Sequence, residues 1–144
     1  MGAADADVPE ADIPVIQLSV QSQESPAHHI ALGKALAPLR EDGVLVIGSG
    51  SYVHNLRALD RGGINALEPQ WSKDFSDWMH GALVEKREDD LANYRARAPF
   101  AAHAHPTEEH LMPLFVAYGA GDKAERLHSS STYGSLRMDA YAFS

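Results

Sequence analysis

Eight histidines and no cysteine set the chemistry open to this chain of 144 residues. Without a thiolate there is no disulfide, no cysteine nucleophile and no sulfur-ligated metal. A transition metal would be held by His, Asp or Glu. His54 is the most telling of the eight. It follows Val44-Leu45-Val46-Ile47, a short apolar run that predicts a buried strand, and the turn Gly48-Ser49-Gly50-Ser51. Ligands of open α/β sheets bind just beyond the carboxyl ends of strands. Glycines let such a turn reverse freely and bring main-chain N–H groups near a ligand. Neither GxGxxG nor Gly-Lys-Ser/Thr is present, so the turn carries no nucleotide fingerprint. His54 therefore either serves a ligand or caps a loop.

His103, His105 and His110 cluster around Pro106-Thr107. Converging imidazoles suit a divalent metal, but the spacing is not that of HExxH. His110 falls about one turn into an expected helix, whereas His103 and His105 read as an exposed His-rich loop. His29 opens the first helix and can face the strand ends, with His28 solvated beside it. His80 and His128 read as surface residues. Trp71 and Trp78 lie on a helical stripe and read as core. A hydrolase pairing of His54 with Asp60 lacks a G-x-S-x-G elbow, because Ser49 sits in Gly48-Ser49-Gly50.

These residues need elements to place them. Ile13 to Val20 is β-branched and short, which predicts a strand. Ser25-Pro26 predicts a helix start, with Leu32, Ala35, Leu36 and Leu39 on one face and Gly43 as the stop. Val44 to Ile47, apolar on both faces, predicts a parallel central strand, which completes a βαβ unit. Trp71, Phe75, Trp78, Met79 and Leu83 predict a helix. Asp89 to Arg97 predicts a short one, and Ala101 to Pro106 a loop. Thr107 is expected to cap a helix running to about Tyr118, with Glu108 and Glu109 in its first turn. Leu136, Met138, Ala140 and Ala142 alternate with Ser135, Arg137, Asp139 and Tyr141, a strand with one wetter face.

The totals narrow the classes. Twenty acidic against 12 basic residues give a formal charge of −8, which argues against nucleic acid and anionic membrane as partners. No apolar run approaches the roughly 20 residues of a membrane span. Residues 1–12 are Ala- and Asp-rich and read as a flexible tail, without the basic and apolar regions of a signal peptide. A cytoplasmic protein is the default expectation.

Several stretches together resemble a known family. Ala11-Asp12-Ile13-Pro14-Val15-Ile16-Gln17-Leu18-Ser19, His29 with Leu32-Gly33, and Leu39 to Leu45 are similar to the class III extradiol ring-cleaving dioxygenases of the 4,5-DOPA dioxygenase type. Gly48-Ser49-Gly50 through Val53-His54-Asn55-Leu56-Arg57 resembles that group's central histidine motif. Pro106-Thr107-Glu108-Glu109-His110-Leu111-Met112-Pro113-Leu114 resembles its second, and Tyr133 to Met138 also fits. The resemblance implies an α/β fold, a three-layer α/β/α sandwich with a mostly parallel sheet. It implies a non-haem Fe(II) enzyme, sometimes isolated with Zn(II), that opens a catechol ring with O2. His54 and His110 map onto metal or acid/base positions, and His29 and Asn55 onto the substrate pocket. Family members are longer, with a Gly-His-Gly-Ser-Pro motif and a further metal histidine in an N-terminal half that has no counterpart here. Residues 13–144 therefore read as the C-terminal part of such a catalytic domain, truncated at its N-terminus. Two histidines alone imply a weak metal site. The partners implied are a catechol-type substrate, O2 and a separately encoded N-terminal half or a homo-oligomer. The alternative is a non-catalytic metal-binding or self-associating remnant.

Overall fold

The structure is a computed structural model, and it describes residues 12–144. The tail expected over residues 1–12 thus lies outside the described residues, Asp12 excepted. The α/β class holds: six helices surround two small sheets among the described residues.

Helix α1 (Pro26–Leu36) begins as the sequence predicts. The Ser25 hydroxyl accepts a hydrogen bond from the His28 N–H at 3.2 Å, and Pro26 occupies the first turn, where its missing donor is not needed. The chain tightens into a 3-10 turn over Ala37–Asp42 and stops at Gly43, in the left-handed region at φ 82°. The expected apolar face of Leu32, Leu36 and Leu39 is not the buried one. Ile30 and Gly33 are buried instead. The reason is a backbone-close crossing with helix α6 (Met112–Gly119). A Cβ at Gly33 would run into the Val116 carbonyl, and one at Gly119 into the Ile30 carbonyl. Glycine here serves space, not φ.

Helix α2 (Gln70–Val84) follows its predicted stripe. Phe75, Met79, Ala82 and Leu83 are buried, with Trp71 and Trp78 packed half-buried against them. The helix expected over 89–97 breaks in two, α3 (Glu88–Ala92) and α4 (Tyr94–Arg97). Asn93 sits between them at φ −115°, its amide nitrogen donating back to the Asp89 carbonyl at 2.8 Å. Leu91 and Tyr94 are both fully buried across that break. The expected loop after residue 100 contains one helical turn, α5 (Ala101–Ala104).

The strands depart most from expectation. Those present are β1 (Ala124–His128) paired antiparallel with β4 (Ala140–Phe143), and β2 (Ser131–Thr132) paired antiparallel with β3 (Leu136–Arg137). No mostly parallel sheet is seen among the described residues. Residues 13–20 and 44–47 form no ladder, and their side chains stand exposed, Ile16 at 92% and Leu45 at 79%. A strand is defined by its neighbour, and these two have none among the described residues. The closing alternation is also inverted. Arg137 is buried and Met138 exposed. Arg137 donates to the Glu68 carboxylate at 2.7 Å and, with Arg126, meets the Asp139 carboxylate at 3.3–3.4 Å. Ser72 adds a hydrogen bond to Glu68 at 2.7 Å. A buried cation is tolerable only with partners of this kind.

The α1–α6 crossing gives a direct expectation. Gly33→Ala or Gly119→Ala must push the two backbones apart, costing about 1–3 kcal/mol as overpacking does. Thermal unfolding should show a clear drop for each. The surface-facing Gly43→Asn, which keeps a residue tolerant of the left-handed region, should cost much less.

Candidate functional site

The site is built where two segments far apart in sequence lie against each other. The first runs from Gly48 to Asn55, the second from His103 to Pro113. Gly48 lies against the Pro113 carbonyl and Gly50 against the His110 carbonyl, each so closely that a Cβ would collide. Four hydrogen bonds then tie the segments. The Ser51 N–H donates to the His110 carbonyl at 2.8 Å, and the His54 N–H to the Ala104 carbonyl at 3.0 Å. The Asn55 amide donates to the His103 carbonyl at 2.7 Å. The His105 Nε2–H donates to the Tyr52 carbonyl at 2.8 Å. The glycines of the turn thus serve contact with the second histidine segment.

The result is the juxtaposition of His54 and His110. Their rings stack with centroids 3.8 Å apart and planes 19° from parallel. Both are half-buried. The Glu109 carboxylate lies 3.1 Å from the buried His110 Nδ1. His110 is not on a helix. The one expected from Thr107 starts only at Met112, because Pro113 has no N–H and its ring would clash with a preceding helical turn. Thr107 donates to Glu109 instead of capping, and Glu108 accepts from the Tyr94 hydroxyl at 2.8 Å. His110 borders a groove of about 620 Å³ between Ile47, Gly50, Leu114, Tyr141 and Phe143.

The other histidines sort by their partners. His29 is fully buried, yet both ring nitrogens are committed to backbone. Nδ1 donates to the Ser25 carbonyl at 2.9 Å, and Nε2 accepts from the Gln21 N–H at 3.3 Å. Asn55 is likewise spent, its oxygen accepting from the Arg57 N–H at 3.1 Å. Both are expected at the substrate, and in this structure their polar atoms are bonded to backbone. His103 is exposed and packs edge-on against Trp71, centroids 4.4 Å apart. His28 and His128 are exposed as expected. His80 is not a bare surface residue: its Nδ1 pairs with the Tyr141 hydroxyl at 3.1 Å.

His105 is the residue that sequence reasoning missed. Expected in an exposed loop, it is fully buried against Phe75. The missed signal was its company: Ala101 and Ala104 are also buried, a small-residue turn pressed into the core. Burial pushes its pKa down from 6.5 to about 4, the Tyr52 bond opposes this, and the charges of His54 and His110 add to it. His105 is therefore neutral with the proton on Nε2, and Nδ1 is left without a partner among the described residues.

Imidazoles at one point suit Fe(II) or Zn(II) by donor chemistry, and His54 and His110 bring two together. Two imidazoles fall short of the three protein ligands such ions ordinarily take. Among the described residues no group of three or more His, Asp or Glu is arranged to hold a metal.

Comparison with known proteins shows the family. Residues 8–144 match the family described as the catalytic LigB subunit of aromatic ring-opening dioxygenase. The chain belongs to the LigB family. It is 44% identical over 139 residues to the "4,5-DOPA dioxygenase extradiol" of Portulaca grandiflora, covering 94% of this chain and 51% of that protein. The Beta vulgaris protein of the same name is 43% identical, covering 94% and 51%. The Escherichia coli one is 35% identical, covering 81% and 44%. A crystal structure of an uncharacterized Escherichia coli K12 protein superposes with a TM-score of 0.80 at 32% identity, over 92% of this chain and 56% of that one. This LigB chain thus spans about half the length of the curated relatives it matches. No described helix is long and apolar enough to cross a membrane.

The neutral His105 sets a pH dependence. Between its folded pKa of about 4 and its ordinary 6.5, the unfolded chain binds a proton that the folded chain refuses. Stability is fully present above about pH 6.5 and is lost as pH falls toward 4, by about 3 kcal/mol in all. Urea unfolding at about pH 7 and about pH 5 should show this slope, and His105→Gln should remove most of it. An unchanged slope in the variant would assign the effect to other groups.

Proposed function

We propose that this LigB chain carries the C-terminal share of an extradiol dioxygenase centre, which opens a catechol-type ring with O2 at a non-haem Fe(II). The observation that carries the reading is the meeting of His54 and His110 from two distant segments. Zn(II) would occupy the same nitrogens in isolated protein. When bound, the metal would supply a positive charge that lowers the pKa of an attached hydroxyl.

The chain's own residues supply the rest. His110 offers an imidazole nitrogen as ligand. His54, stacked on it, acts as second ligand or as the imidazole that accepts a catechol proton, a role suited to histidine near neutral pH. His29 and Asn55 act on the substrate through the backbone they brace. The groove beside His110, walled by Tyr141 and Phe143, can exclude water from one side of a bound ring.

The remaining donors come from the half of the relatives that this chain does not span. Two features support this. Among the described residues only His54 and His110 meet at this site, and residues 13–20 and 44–47 hold exposed apolar side chains outside any ladder. With neighbours supplied, these segments become parallel strands of a three-layer sandwich. The same exposed segments favour a second reading, a self-associating, non-catalytic remnant.

Oxygen uptake with Fe(II) and a catechol separates the two. The chain alone should show none, and addition of the companion half should produce turnover. In the mixture, His54→Ala or His110→Ala should lower kcat by at least about 100-fold. Turnover by the pure chain would refute the need for a second polypeptide. Silence in every mixture would favour the remnant.

A further inference from the structure

We infer that His105 is a positioning residue, which holds the His54 backbone in register with His110 through its Nε2–H bond to the Tyr52 carbonyl. The inference rests on the proposed role of the His54–His110 pair and adds a third histidine that does not itself touch the reacting groups.

The geometry is specific. Tyr52 lies two residues before His54, and its carbonyl points into the interior, where His105 meets it at 2.8 Å. The neighbouring bonds, from the His54 N–H to Ala104 and from the Asn55 side chain to His103, flank this one. They come from the two residues before His105, so all three belong to one clamp on residues 52–55. All three bonds end on backbone carbonyls, and in two of them the second segment supplies only a carbonyl, which any residue could provide. Only the His105 bond depends on a side chain from the second segment. Its ring is fully buried, which shields the bond from competing water.

Packing alone does not account for a histidine here. The ring lies 5.7 Å from Phe75, centroid to centroid, among apolar neighbours, where phenylalanine would fill similar space. Phenylalanine would leave the Tyr52 carbonyl buried without a donor, and histidine leaves its own Nδ1 unpartnered. A buried polar group with one unmet atom is retained at a cost, and the donor function on Tyr52 is what it provides. The same logic holds for residues that orient a metal ligand without touching the metal.

The test compares the full-length chain with His105→Phe and His105→Gln. The readouts are amide hydrogen exchange at His54 and Zn(II) affinity measured by calorimetry. His105→Phe should accelerate His54 exchange by about tenfold or more relative to amides of α2, and weaken Zn(II) binding by about tenfold. His105→Gln, which keeps an N–H donor near the position of Nε2, should stay within about threefold of the parent on both. A His105→Phe protein that melts lower but keeps parental His54 exchange and zinc affinity would overturn the inference, because that is what loss of packing alone produces. Should His105→Phe fail to fold, His105→Gln still decides: a folded Gln variant with tenfold faster His54 exchange overturns the donor role. If the parent binds no zinc, the metal reading of His54 and His110 fails, while the exchange comparison continues to judge the clamp.

Discussion

Everything at this site depends on one constraint: two segments about fifty residues apart must lie backbone to backbone. The bonds from Ser51, His54, Asn55 and His105 across the gap place His54 over His110 at 3.8 Å between ring centroids. Net hydrogen bonds are worth only about 1 kcal/mol each, so no one of them fixes the geometry. Their consequence is registry. With Gly48 and Gly50 seated against carbonyls of the opposite segment, any larger side chain or slip of the chain would separate the two imidazoles. Loops carry function best when a rigid scaffold positions them. Here that scaffold is the core of Phe75, Leu111, Met112 and Phe115 beneath the clamp.

Much of this was legible in the residues. The cap of α1, the stripe of α2 and the importance of His54 and His110 follow from local chemistry and from motif resemblance. What was not legible is long-range. The alanines around His105 only hint at a packed turn, since the Tyr52 carbonyl that its ring meets lies 53 residues away. The same holds for Arg137, whose charge predicts a wet face until Glu68 is placed beside it at 2.7 Å. The glycines of the turn suggested a ligand cradle, because a sequence cannot show that the backbone of His110 fills that space. The start of α6 was recoverable: Pro113 forbids the longer helix, and its position outweighs the cap-like Thr107.

The strand expectations failed for a different reason. Residues 13–20 and 44–47 have the composition of central strands, but a ladder needs a partner and they have none among the described residues. Leu45 and Ile47 remain at 79% and 67% exposure, high for apolar residues of a β-branched run. The relatives are about twice as long as their matched region, so the sequence pattern speaks for a larger sheet than these residues make. Local propensity favours a strand, and tertiary context decides whether it is realised.

A zinc titration followed by NMR of the histidine rings tests the central claim most directly, namely that His54 and His110 form one site. Ring signals of both should move together along a single saturable curve, with those of the exposed His28 and His128 unmoved. Shifts of only one of the pair, or separate curves for the two, would contradict a shared centre.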